Sequence, residues 1–136
     1  MLSRATRTFS LIVIAAALLA AATAVSWQML KSRQIRSQAI ALTGGNPQRG
    51  PELLIQYGCA GCHTIPGVRG ATGQVGPPLE GIAGRVYIAG VLPNTPDNLR
   101  RWIENPPAIN PKTAMPVTGA AGDNARDIVA YLYTLD

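Results

Sequence analysis

All the thiol and imidazole chemistry of this chain falls in five consecutive residues, Cys59-Ala60-Gly61-Cys62-His63. Two thiols separated by two residues can each add to a vinyl group of haem. The next residue then lies under the iron, so its imidazole becomes the proximal ligand without any long-range folding requirement. A thioredoxin-like redox pair has the same C-x-x-C spacing but needs a strand–helix–strand context, which the surrounding sequence does not provide. Two cysteines are too few for a disulfide-stapled scaffold or for a four-thiolate zinc or iron–sulfur site. Because His63 is the only histidine, bis-histidine ligation is excluded, and a sixth iron ligand must be methionine, lysine, a weaker donor or nothing. Met1 and Met29 lie before or at the end of an apolar run, which leaves Met115. It sits in Asn110-Pro111-Lys112-Thr113-Ala114-Met115-Pro116, a proline-bracketed strap with no helical period, and the residue before Pro116 is pushed toward an extended conformation that projects its side chain sideways. A lone methionine is ordinarily core filler; this setting marks Met115 as the axial ligand, with Lys112 as the alternative.

The elements that must hold these residues divide the chain into an anchor over 1–30, a stalk over 31–45 and a domain over 46–136. The whole chain has 136 residues and a formal charge of +5, and charge splits by position. Arg4, Arg7, Lys31, Arg33 and Arg36 precede any carboxylate, whereas from Asn46 onward seven cations meet seven carboxylates. The basic excess therefore flanks a membrane segment, and the domain carries no basic face or motif of the kind nucleic-acid binding requires. Thr8 to Leu30 is uncharged and apolar on every face, long enough as a helix, at about 34 Å, to cross a bilayer core of about 30 Å. A cleaved signal ending at Ala22-Thr23-Ala24 is the competing reading; the run continues past that point through Trp27 to a basic cluster, as an uncleaved anchor does. Either way the domain is exported, and charge counting does not fix the orientation. Lys31 to Leu42 reads as a short helical stalk, and Thr43-Gly44-Gly45 as a flexible joint.

Within the domain, Asn46 is expected to cap a helix beginning at Pro47 and ending at Gly58. Gly119-Ala120-Ala121-Gly122 offers a poor cap for the last helix. Five aromatics among about 90 residues rich in Gly and Pro supply a thin core that a buried porphyrin would complete, so the domain without haem is expected to be largely unfolded.

From Asn46 to Asp136 the chain resembles the class I cytochromes c. Gly50 and Leu54 fit the first helix; Cys59, Cys62 and His63 follow. Gly76-Pro77-Pro78-Leu79 is similar to the loop whose proline carbonyl accepts the proximal histidine's ring proton, and Gly84-Arg85 to the arginine near a haem propionate. Leu99, Trp102, Ile103 and Asn105-Pro106 resemble the helix before the methionine loop, and Ile128, Ala130, Tyr131 and Leu132 the last helix. The resemblance implies an all-α fold of three main helices around one covalent haem c, with His63 and Met115 on the iron, Pro77 orienting His63 and Trp102 lining the distal side. Val91 to Ile103 also resembles the cytochrome c domain fused to subunit II of some bacterial haem–copper oxidases. No further Cys or His is present for a copper centre.

This reading implies a one-electron carrier rather than an enzyme, tethered to the bacterial cytoplasmic membrane by one helix with its haem domain on the periplasmic side. Its expected partners are a quinol–cytochrome c reductase, a terminal oxidase, or both. The alternative is a haem-bearing small subunit of a nitric oxide reductase or oxidase assembly. Independent catalysis or gas sensing would need an open iron position and an acid–base group other than His63.

Overall fold

The computed structural model describes residues 4–135, which form two compact units that meet in sequence between Ile35 and Arg36. Helix α1 runs from Arg4 to Thr43, a stretch without Gly or Pro that gives the backbone no reason to stop. Its apolar residues through Leu30 are exposed on all sides, and among the described residues this is the helix long and apolar enough to cross a membrane. It ends at Gly44, whose φ of +66° closes the last turn as its N–H donates to the Ile40 carbonyl.

The sequence pattern at 43–45 suggested a flexible joint; the structure corrects it. Gly45 is buried beneath the last helix, where a Cβ would lie 2.8 Å from the Arg126 carbonyl carbon and 3.1 Å from the Ala130 Cβ. Ala39, one turn earlier, is also buried, and Asn46 N–H donates to Asp127 Oδ1 at 2.6 Å. Gly45 is there for close approach, while Gly44 supplies the positive φ that ends the helix. A soluble domain starting at Asn46 is therefore expected to unfold at lower denaturant than one starting at Arg36, by about 1–3 kcal/mol, the ordinary range for uncovering a packed surface. Equal midpoints would show that residues 36–45 contribute nothing to the fold.

Asn46 caps a turn rather than an α-helix. Its Oδ1 accepts from Gln48 N–H, and helix α2 begins three residues later than the sequence suggested, spanning Gly50–Gln56. Arg49 fastens this turn to the last helix through Asp127 and Asn124. After Gly58, whose φ of +75° reverses the chain, Cys59–Cys62 forms the single turn α3. An irregular stretch follows to a 3₁₀ turn at Ile82–Gly84, then to a small antiparallel hairpin pairing β1 (Tyr87–Ile88) with β2 (Leu92–Pro93). Helix α4, Pro96–Glu104, has Thr95 as N-cap accepting from Asn98 N–H and Pro96 at its first position. A short α5, Pro106–Ile109, precedes the methionine strap, and α6 covers Gly122–Leu132.

Helix α6 packs against both α2 and α4. Gly50 lets the first crossing close: a Cβ there would lie 2.7 Å from Tyr131 Cγ. The Tyr131 hydroxyl donates to the Pro66 carbonyl, tying the loop after α3 to the same ring. The poor local cap of α6 is remedied from a distance, because Glu104 Oε1 accepts from Gly122 N–H at 3.2 Å while Glu104 also pairs with Arg100. A carboxylate at a helix N-terminus meets both the orphan donors and the positive end of the dipole. Glu104→Ala should cost about 1 kcal/mol in chemical denaturation. Glu104→Gln, which keeps an oxygen acceptor, should cost less; equal losses would mean that the acceptor is not what matters.

Candidate functional site

The three packed helices and the loops between them enclose a cavity of about 280 Å³. Gly58 makes the turn into α3 possible, and the i, i+3 spacing of Cys59 and Cys62 puts both thiols on one face of that turn, along the cavity wall. Burial pushes the Cys59 thiol above its ordinary value; a backbone hydrogen bond opposes this and neighbouring Cys62 adds to it. At His63 the backbone becomes extended, and the imidazole joins the same wall.

His63 Nδ1 lies 2.7 Å from the Pro77 carbonyl. A carbonyl only accepts, so Nδ1 carries the proton and donates, leaving Nε2 free to ligate a metal. Gly76 is pressed against the ring at Cε1, where a Cβ would lie 2.7 Å from Nδ1 and 2.8 Å from Nε2. The loop is itself anchored, since Gly76 N–H donates to Cys62 O and Leu79 N–H to Thr64 O.

Met115 enters from the methionine strap and lines the cavity half-buried. Its N–H donates to Thr113 Oγ1, and the Lys112 N–H to Asn110 Oδ1, so short polar side chains hold the strap in place of a helix or strand. Lys112 is exposed and lies outside the lining. Leu99, Trp102 and Ile103 present one face of α4 to the cavity, and Leu54, Ile128 and Leu132 close it from α2 and α6. Arg85 reaches its rim and donates to the carbonyls of Pro78 and Glu80.

The donor set fits a haem: two adjacent thiols, an imidazole with its outer nitrogen already engaged, a thioether in the same cavity, and otherwise mainly apolar walls. The sequence reading missed Thr113 and Asn94, whose roles depend on hydrogen bonds seen only in the folded chain. Burial raises the Tyr131 and Tyr133 hydroxyls above the usual tyrosine range, in keeping with their use as neutral donors.

A mostly helical domain with this cavity and this thiol–imidazole turn defines a haem-binding electron carrier. Residues 47–136 match the cytochrome c family model, and the chain belongs to the cytochrome c family. It is 36% identical over 106 residues to cytochrome c2 of Rhodopila globiformis, a match covering 67% of this chain and 94% of that protein. It is 30% identical over 89 residues to cytochrome c oxidase subunit 2 of Alkalihalophilus pseudofirmus and over 66 residues to that of Bacillus sp. (strain PS3), covering 64% and 47% of this chain. The matches span only 25% and 18% of those two subunits' lengths. No solved structure gives a significant match. Membership carries a covalent haem c with its iron and the transfer of electrons between redox partners; family members are carriers, not enzymes.

Proposed function

We propose that this chain is a membrane-tethered mono-haem carrier of a respiratory chain, passing electrons to or within a terminal oxidase. The observation that carries the reading is the convergence of Cys59, Cys62, His63 and Met115 on one apolar cavity. Cys59 and Cys62 would hold the haem through thioethers, and His63 Nε2 and the Met115 sulfur would ligate its iron. When bound, the haem supplies a reversible one-electron couple. The chain's own contribution is orientation and exclusion: Pro77 fixes the imidazole's tautomer and direction, Thr113 sets the strap that carries Met115, and Trp102 with its neighbours keeps water off the distal side. With both residues on the iron, no position would be left for oxygen to bind.

The anchor is the apolar part of α1. The haem domain is on the periplasmic side, which is where haem is attached in proteins this chain resembles, and residues before Thr8 are cytoplasmic. A quinol–cytochrome c reductase is the fitting donor. The similarity to part of two oxidase subunits favours a second reading, in which the chain is a haem-bearing subunit standing in an oxidase or nitric oxide reductase assembly.

Mild-detergent extraction and co-purification separate the two. A freely released monomer that reduces a terminal oxidase supports the carrier, and a stoichiometric reductase or oxidase supports the subunit. Protease added to spheroplasts should remove the haem domain; its protection would reverse the topology.

A further inference from the structure

Asn94 lies in the turn between β2 and α4, and its carboxamide is fully committed. Its Nδ2 donates to the carbonyls of Ile82, at 2.7 Å, and Arg85, at 2.9 Å, while its Oδ1 accepts from the Tyr133 hydroxyl at 3.2 Å. Its backbone N–H also donates to Val86 O at 2.9 Å. One side chain thus joins the 3₁₀ turn, the residue that follows it and the end of α6. Arg85, whose backbone is gripped in this way, sends its guanidinium back to Pro78 and Glu80, the carbonyls flanking Leu79 and next along the loop from the Pro77 acceptor of His63. Both ends of the arginine are fixed, one by Asn94 and the other by the loop beneath the imidazole.

We propose that Asn94, locked by Tyr133, is a positioning residue that holds the Arg85 cation at the rim of the haem cavity and thereby raises the reduction potential. The inference rests on the cavity being the haem site. A fixed positive charge beside the haem disfavours the additional positive charge of the oxidised iron, and an arginine free to swing into water does so less, because solvent screens it. Substituting Asn94 removes two donors from backbone carbonyls and one acceptor from a tyrosine, so the turn loosens and the guanidinium with it.

The test is a redox titration of the haem-loaded full chain, with the absorption spectrum recorded to establish that axial ligation is unaltered. At a fixed ambient poise, Asn94→Ala should lower the ratio of reduced to oxidised protein about threefold, the order expected for releasing one partly solvated charge. Arg85→Gln should lower it at least as much. In the Arg85→Gln background, Asn94→Ala should change nothing further, a result that a general loosening of the domain would not give. Tyr133→Phe frees only the Oδ1 end and should give a smaller fall in the same direction. It carries the test by itself if Asn94→Ala fails to load haem. An unchanged ratio in the loaded variants, or a fall that persists undiminished without Arg85, overturns the proposal. A spectrum of the unaltered protein lacking histidine–methionine ligation would instead refute the ligand assignment, while the Asn94–Arg85 coupling could still be read from the same titrations.

Discussion

Replacing Met115 by alanine should leave haem bound to the chain through Cys59 and Cys62 yet open one face of the iron. The strap around Met115 is held by Thr113 and Asn110, neither of which needs the thioether, so the backbone path should survive and the loss should be confined to the ligand. Carbon monoxide should bind the reduced variant and not the unaltered protein. The potential should fall on the order of 0.1 V, a fraction of the roughly 0.8 V over which axial ligands set haem potentials. If the variant stays low-spin and refuses carbon monoxide while Lys112→Ala admits it, lysine is the ligand. The exposed position of Lys112, outside the cavity lining, argues against that outcome.

The second large effect is expected at a residue with no side chain. Gly76→Ala would place a methyl carbon within the imidazole of His63, at less than 3 Å from both ring nitrogens. The ring must move or the loop must retreat; the first breaks the 2.7 Å contact between Nδ1 and Pro77 O, and the second breaks the bond from Gly76 N–H to Cys62 O as well. Overpacking of this kind costs about 1–3 kcal/mol, and here the strain falls on the ring of His63, the proposed proximal ligand. The yield of haem-loaded protein should drop about tenfold or more, as expected from that range. The protein that does load should show an altered potential, because the imidazole's outer hydrogen bond governs its basicity. Gly84→Ala, where a Cβ would meet nothing within 4 Å, is the control and should behave as the unaltered chain. Equal yields for the two variants would show that the ring can shift at no cost.

What sequence could reveal here was whatever is local. Cys59, Cys62 and His63 are legible because their chemistry depends on adjacency, and Met115 stands out because the chain downstream of the apolar run holds no other methionine. Helix α4 was legible through the family resemblance at Leu99, Trp102 and Ile103, and the long α1 from its composition. The family resemblance added Pro77 and Arg85; the structure sets His63 Nδ1 against the Pro77 carbonyl, and Arg85 on the carbonyls of Pro78 and Glu80, partners the resemblance did not give. Long-range pairings gave no such signal. The cap of α6 comes from Glu104, eighteen residues upstream, so a local rule that looks only at Gly119 to Gly122 sees a frayed end. Gly44 and Gly45 carry the composition of a flexible linker, and the surface of α6 that makes them a packing site lies about 80 residues away. Asn46 looked like a helix cap because an Asx turn and an N-cap use the same side-chain oxygen. Asn94 reads as an ordinary turn residue until Tyr133 is brought beside it.

The segment from Gly76 to Glu80 behaves as a ruler. Each of its five residues lends at least one backbone group to a partner outside it: Gly76 N–H to Cys62, Pro77 O to His63, Pro78 O to Arg85, Leu79 N–H to Thr64 and its carbonyl to Ile82, and Glu80 O to Arg85. Its two prolines bring no N–H to satisfy. The side chains of Pro78 and Glu80 face water and take no part. At Pro78 and Glu80, unlike at Gly76, what must be preserved is therefore the count of residues more than their identity. Glu80→Ala should be nearly silent, within about 0.5 kcal/mol as for surface substitutions generally, whereas one alanine inserted after Pro78 would throw the contacts on one side of the insertion out of step with those on the other. Haem-loaded yield for the two variants, measured side by side, tells length from composition, and a well-loaded insertion would mean that the spacing carries no information.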